Sequence, residues 1–315
     1  MKRTYFFILN PESNHGKSKK YFKYLKKILE SKRIEYNYKE TNSLQDAYLF
    51  SKEANEKRYE IIIAVGGDGT INKVINGFYN ENGKRISKAK LGVIHTGTSP
   101  DFCKSYGIPN EPFTALNTIF KNYSKKISIA QIEYQDEKNV RKNGYFACCA
   151  SLGLGSTVAR NANSGIRRYL GDFTGTFISI IKALLLYKAS NLFVKLDGKQ
   201  TIIKQNFNTF IGKTSFIASG IKIHNDLSIN DKCLYLLSLK NITWKNVTSG
   251  LKSIYSAKPI HSNDIVIFDY ANTIEIYKNN INPEIEFDGD PQGFLPCKIS
   301  IAEDLLEIIV TQETE

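Results

Sequence analysis

Five consecutive apolar residues, Ile61-Ile62-Ile63-Ala64-Val65, run directly into Gly66-Gly67-Asp68-Gly69-Thr70. No other stretch restricts the fold of this chain as tightly. An uninterrupted run rich in branched residues predicts a strand buried on both faces. Ile71, Val74, Ile75 and Phe78 then recur at helical spacing, which predicts a helix beginning near Ile71. Glycines at such a junction let the backbone turn tightly and approach an anion, and the first turn of the helix presents free amides and a positive dipole end. Asp68 repels phosphate and suits a metal or a bound water. Thr70 suits a helix cap or a phosphate hydrogen bond. A ligand-free αβ turn needs the same glycines, but strand, glycine–aspartate turn and amphipathic helix together favour a polyphosphate site.

The flanking sequence repeats this alternation. Strand-like runs cover residues 5–9, 35–39 and 91–94, and helical faces cover 18–29, 44–54 and 113–120. Alternation of this kind predicts a doubly wound, mostly parallel sheet with helices on both sides. Beyond about residue 127 short strands take over, at 127–134, 145–150, 192–196, 207–212, 233–239, 265–268, 273–277, 284–287, 298–301 and 306–310. Only 167–189 and 244–256 read as helical there. The expected organisation is an α/β nucleotide-binding domain at 1–126 and a β-rich, sandwich-like domain at 127–315, with the C-terminal tail free to pack back on the first.

Composition narrows the function less than the motifs do. The 315 residues are 42% hydrophobic, enough for two cores, and carry a formal charge of +12. Such charge fits anionic lipid, nucleic acid or phosphorylated substrates, or simply a lysine-rich proteome, and a nucleic-acid role would rest on it alone. Cys103, Cys148, Cys149, Cys233 and Cys297 form no spaced pair, which fits a reducing cytoplasm. The four histidines show no metal-ligand spacing. Residues 173–189 combine Phe173, Phe177, Ile180, Ile181, Leu184 and Leu185 with Lys182 and Lys188, a pattern shared by a helix on a bilayer surface and one packed on the second domain.

Three further blocks follow strand-like runs. Asn10-Pro11-Glu12-Ser13 comes after the first strand, Gly97-Thr98-Ser99-Pro100-Asp101-Phe102 after the fourth, and Phe287-Asp288-Gly289-Asp290 far downstream. In open α/β sheets ligands sit beyond the carboxyl ends of the strands, where the first two would meet the glycine turn. Each also has a plain reading: a helix cap, a proline turn and an Asp-Gly hairpin. A carboxylate in the last block can accept the proton of an attacking hydroxyl.

These four blocks, in this order, resemble the diacylglycerol kinase catalytic domain, the family that includes bacterial lipid kinases and sphingosine and ceramide kinases. Residues 152–160 (LGLGSTVAR) and 221–234 (IKIHNDLSINDKCL) extend the resemblance over nearly the whole chain. The glycine–aspartate turn alone also occurs in NAD kinases and phosphofructokinases. The resemblance implies an active site in the cleft between the domains, with ATP and magnesium as cofactors. ATP would contact Asn10, Pro11, Glu12, Ser13, Thr41, Gly66, Gly67, Asp68, Gly69, Thr70, Asn72 and Thr98. Asp68 and Asp101 would organise the catalytic magnesium, and Asp290 would be the general base. A second, structural magnesium would bind at Ser228, Asp231 and Cys233, the outer two giving backbone carbonyls.

The chain departs from the family at four positions. Pro100 replaces an Asn and Lys73 a Glu, Lys232 stands where a Gly follows the metal-binding Asp, and Asp290 replaces a Glu with one methylene less reach. The function implied is phosphoryl transfer from ATP to a lipid hydroxyl, with diacylglycerol as default acceptor. The alternatives are an NAD kinase-like phosphotransferase and a catalytically weakened nucleotide or lipid sensor. The expected partner is a lipid at the membrane surface, the expected location the cytoplasm or the inner face of the membrane, and a homodimer is an option.

Overall fold

A computed structural model describes residues 3–154, 187–217, 221–242, 262–277, 283–288 and 290–312, without the side chains of Ile221 and Asp290. The helices expected over 167–189 and 244–256 fall almost wholly outside these residues, as does most of the 152–160 block.

The first half is β1 (Tyr5–Leu9), α1 (Lys17–Ser31), β2 (Tyr36–Glu40), α2 (Leu44–Glu56), β3 (Ile61–Gly66), α3 (Asp68–Asn76), β4 (Lys90–His95), α4 (Asp101–Tyr106), α5 (Pro112–Lys121) and β5 (Ser124–Ile127). Strands β1, β2, β3 and β4 pair in parallel. Successive residues of β1 and β3 enter different cores. Phe7, Leu9, Ile61, Ile63 and Val65 meet Phe22, Leu25 and Leu29 of α1 and Leu116 and Ile119 of α5. Phe6, Ile8, Ile62 and Ala64 meet Ala47 and Ala54 of α2 and Val74 and Ile75 of α3. Burial on both faces is why these strands lack a polar alternation.

The second half is β6 (Ala130–Gln135), β7 (Arg141–Phe146), β8 (Cys149–Gly153), β9 (Ser190–Leu196), β10 (Lys199–Gly212), β11 (Phe216–Ile217), β12 (Ile221–Lys222), β13 (Leu234–Lys240), β14 (Val266–Ala271), β15 (Ile274–Tyr277), β16 (Glu284–Phe287), β17 (Asp290–Ile301) and β18 (Leu306–Ile309). Its main sheet is antiparallel and closes on itself because two long strands serve both layers. The start of β10 pairs β9 and its end pairs β8 and β13, with a register shift at Asn206 between them. The start of β17 pairs β16 and its later part pairs β15 and β6. Strands that switch layers at bulges are how two packed sheets make a corner. Strand β18 leaves this half and joins the first sheet between β4 and β5.

The structure corrects two strands. The expected 127–134 run breaks at Ser128–Ile129, where the chain crosses from one sheet to the other and the Ser128 amide donates to the Ile229 carbonyl. The expected 145–150 run breaks at Ala147–Cys148, where the amides leave the ladder for a side chain described below. Both breaks lie within apolar sequence, so hydrophobicity alone carries no sign of them. The core under α2 and α3 runs on without interruption to Tyr145, Ala147 and Cys148, joining the two halves. No described helix is long and apolar enough to cross a membrane.

Candidate active site

Strands β1, β3 and β4 end at one edge, with Leu9 opposite Val65 and Gly66 opposite His95. The glycine turn begins α3 earlier than helical spacing predicts. The Gly67 carbonyl already accepts the Ile71 amide at 3.0 Å, so Asp68, Gly69 and Thr70 form the first helical turn. Gly67 and Gly97 bring two of these loops into direct contact: a Cβ on Gly97 would lie 2.6 Å from the Gly67 Cα. Side chains from the first loop complete the edge. Asn10 Nδ2 donates to Thr70 Oγ1 at 3.0 Å, and Ser13 Oγ lies 3.2 Å from Thr96 Oγ1. Pro11 and Glu12 lie on the same loop, with the Glu12 amide bound to Asn10 Oδ1. Thr41 is buried beside them, its amide on the Leu9 carbonyl, whereas Thr98 is exposed.

Asp68 and Asp101 meet across this edge. Asp68 Oδ2 accepts the Asp101 amide at 3.1 Å and so caps α4, whose N-cap residue is Pro100 with no side-chain hydrogen bond of its own. Asp68 Oδ1 is buried without a hydrogen-bond partner, 3.5 Å from His95 Nε2. Burial pushes the His95 pKa down to about 4, so the imidazole is neutral at pH 7 and offers Asp68 no countercharge. Burial, then the carboxylates of Asp101 and Asp288, hold the Asp68 carboxyl well above its usual range. A buried oxygen without a partner, amid like charges, is a site matched to a hard cation.

Asp288 comes from the second half. It is the first residue of a two-residue hairpin turn between β16 and β17, with φ of 49°, where Phe287 pairs Asp290. Its carboxylate accepts Asn72 Nδ2 at 3.0 Å and the amides of Ala147, Cys148 and Cys149 at 3.0, 3.1 and 3.3 Å. This is what interrupts the strand at Ala147–Cys148. Burial raises the Asp288 pKa to about 6, against the pull of these four donors. Asn72 also donates to the Tyr145 carbonyl at 2.8 Å, so its side chain bridges α3 and the second half. Asn76 repeats the bridge: its Nδ2 donates to the Tyr145 carbonyl and its Oδ1 accepts the Tyr145 amide. Lys73 Nζ donates to Gln292 Oε1 at 2.9 Å. The backbone of Asp290 opens β17, two residues from Asp288, and its side chain lies outside the described residues.

Sequence reasoning missed the parts of Asp288, His95 and Asn76. The one available signal was the first acid of Phe287-Asp288-Gly289-Asp290, which reads locally as hairpin chemistry.

Ser228, Asp231 and Cys233 lie apart from this group, in the loop before β13. Asp231 Oδ2 accepts the Ser228 amide at 2.7 Å, and the Asp231 amide donates to the Ser228 carbonyl at 3.1 Å. The Asp231 carbonyl accepts Lys213 Nζ at 2.9 Å and Ser128 Oγ at 2.8 Å. Among the described residues, no three His, Cys, Asp or Glu side chains converge as metal ligands. A cleft of 490 Å³ lies at the opposite edge of the first sheet, lined by Arg3, Arg58, Lys88, Lys90 and Glu60 among others. Arg3 Nη1 donates there to the Phe120 carbonyl in the last turn of α5 at 2.9 Å, so a cation in this cleft already serves a helix end.

Two family profiles match the chain. Residues 4–132 match the diacylglycerol kinase catalytic domain, and residues 148–310 match the YegS C-terminal NAD kinase beta sandwich-like domain. A diacylglycerol kinase of Staphylococcus aureus (strain MRSA252) is 27% identical over 297 residues, covering 94% of this chain and 89% of that protein. A crystal structure of a diacylglycerol kinase from Bacillus anthracis str. Sterne superposes with a TM-score of 0.69 at 16% identity, covering 98% of this chain and 97% of that one. Yeast NADH kinase, solved with NADH, superposes with a TM-score of 0.55 at 11% identity, covering 99% of this chain and 84% of that one. Below 25% identity these superpositions speak to the fold. Taken with the two halves and the motif order, the profile matches show that the chain belongs to the diacylglycerol kinase catalytic domain family, with a YegS-type C-terminal domain.

Proposed function

We propose that this protein is an ATP-dependent lipid kinase that transfers the γ-phosphate to a lipid hydroxyl, with diacylglycerol as the default acceptor. The observation that carries the reading is the Asp68 carboxylate at the glycine turn, one oxygen buried without a partner, facing Asp101 and in electrostatic range of Asp288. The first-turn amides of α3 and the loop of Asn10 and Ser13 would receive the triphosphate. Asp68 and Asp101 would hold magnesium, whose charge, when bound, offsets that of the transferring phosphoryl group. Asp290 would accept the proton of the lipid hydroxyl, and Asp288 would fix the turn that carries it. Asn72 and Asn76 hold α3 against the second half, and donor and acceptor would face each other across that junction.

The likeness to a NADH kinase concerns the fold. The Staphylococcus aureus relatives named diacylglycerol kinase favour a lipid acceptor over a dinucleotide. Incubation with labelled ATP and a total lipid extract tests this reading. Label in a phosphorylated lipid, identified by mass, is the expected result. ATP binding without transfer to any lipid would favour a sensor instead.

A further inference from the structure

We propose that the ammonium of Lys213 is the resident cation of the 227–233 loop, occupying the place where the family resemblance implies a divalent ion. Lys213 directly follows β10 and is buried, with 4% of its surface exposed. Its Nζ donates to the Asp231 carbonyl, which also accepts Ser128 Oγ. A buried ammonium needs oxygen acceptors and a countercharge, and the loop supplies the carbonyl and the nearby Asp231 carboxylate.

Two of the donors that a divalent ion would need already hold hydrogen bonds within the loop. Asp231 Oδ2 is folded back onto the Ser228 amide, and the Ser228 carbonyl accepts the Asp231 amide. An incoming ion would also meet the positive charge of Lys213, already bonded to the Asp231 main chain and in electrostatic range of its carboxylate. A buried ammonium bonded to the central residue of the set therefore fits this loop better than a divalent ion does, and Lys213 supplies the charge that closes it.

The arrangement reaches the candidate active site. The Lys213 amide donates to the Cys148 carbonyl at 3.2 Å, and the Cys148 amide is one of the three that hold Asp288. Ser128 sits where the chain crosses between the sheets. The ammonium thus ties the crossover and the 227–233 loop to the strand that cradles Asp288.

Hydrogen exchange of the 227–234 segment in the full-length chain tests the proposal. In the native chain, exchange there is expected to be the same in EDTA and in millimolar magnesium or calcium chloride. Lys213→Met, which keeps the side-chain volume and removes the charge, is expected to speed exchange there by about tenfold or more. Metal-dependent protection of this segment in the native chain would overturn the proposal, and so would unchanged exchange in Lys213→Met. The metal comparison uses the native chain, so it remains decisive if the variant fails to fold, and Lys213→Gln provides a second variant.

Discussion

Asp288 combines four hydrogen-bond donors with a pKa raised to about 6 from its ordinary 3.8. The donors favour the charged form and burial opposes it, and burial wins. The folded state therefore binds this proton more tightly than the unfolded chain does. The contribution to stability is complete below about pH 4 and is lost as pH rises to about 6, a loss of about 3 kcal/mol for two pKa units. Asp288→Asn abolishes that titration, so its cost relative to the native chain is expected to be larger near pH 4.5 than near pH 7. Thermal melts at the two pH values, without nucleotide or metal, measure the difference. At Asp68 the same crowding of carboxylates points to charge compensation by a ligand. Asp68→Ala loses the α4 cap, about 1 kcal/mol, but also the partnerless Oδ1, so it should leave the fold intact and lower phosphoryl transfer by about a hundredfold or more. Circular dichroism and turnover, measured on the same sample, check both halves of that statement. Asp68 was legible in the sequence because its setting is local. Asp288 was legible only as a turn residue, because the amides that define its chemistry lie about 140 positions away in the chain.

Among the elements, strands β1 to β4 and helices α1, α2 and α5 could be read directly from apolar periodicity, whereas the short α4 and β5 could not. The start of α3 could not, because Gly67, Asp68 and Gly69 carry no apolar periodicity, and the Ile71–Gly67 hydrogen bond is what makes them helical. The breaks at Ser128–Ile129 and Ala147–Cys148 were hidden for a different reason. Ile129, Ala147 and Cys148 are all buried, so the apolar pattern continues where the ladder stops. Contact between the Gly67 and Gly97 loops gives an element-level prediction. Gly97→Ala places a Cβ 2.6 Å from the Gly67 Cα, and backbone on both sides leaves no flexible side chain to yield. The variant is expected to lose about 1–3 kcal/mol of stability and to bind ATP more weakly, because the loops must part. Denaturant unfolding and a nucleotide titration read the two effects, and unchanged ATP affinity would show that the nucleotide does not use this junction.

For the whole molecule, the decisive feature is that α3 belongs to both halves. Its N-terminus carries Asp68, and its body packs in a core that includes Tyr145, Ala147 and Cys148. Asn72 and Asn76 fasten it to the Tyr145 backbone, and Asn72 also holds Asp288. The sequence announced two kinds of domain through its change of periodicity, but not this junction, since an Asn on a helix has no pattern that names a distant partner. Asn72→Ala removes donors from a buried carbonyl and a buried carboxylate and is expected to cost about 1–3 kcal/mol. It should also lower turnover more than ATP affinity, because it loosens one half against the other while leaving the glycine turn in place. Equal losses in both would place Asn72 at the nucleotide instead. The most direct test of the central claim is phosphate transfer from labelled ATP when diacylglycerol in mixed micelles and NAD are offered together, with the native chain beside Asp68→Ala. The account predicts label in the lipid, none in NAD, and loss of lipid label in the variant; label in NAD, or lipid labelling unaffected by Asp68→Ala, would contradict it.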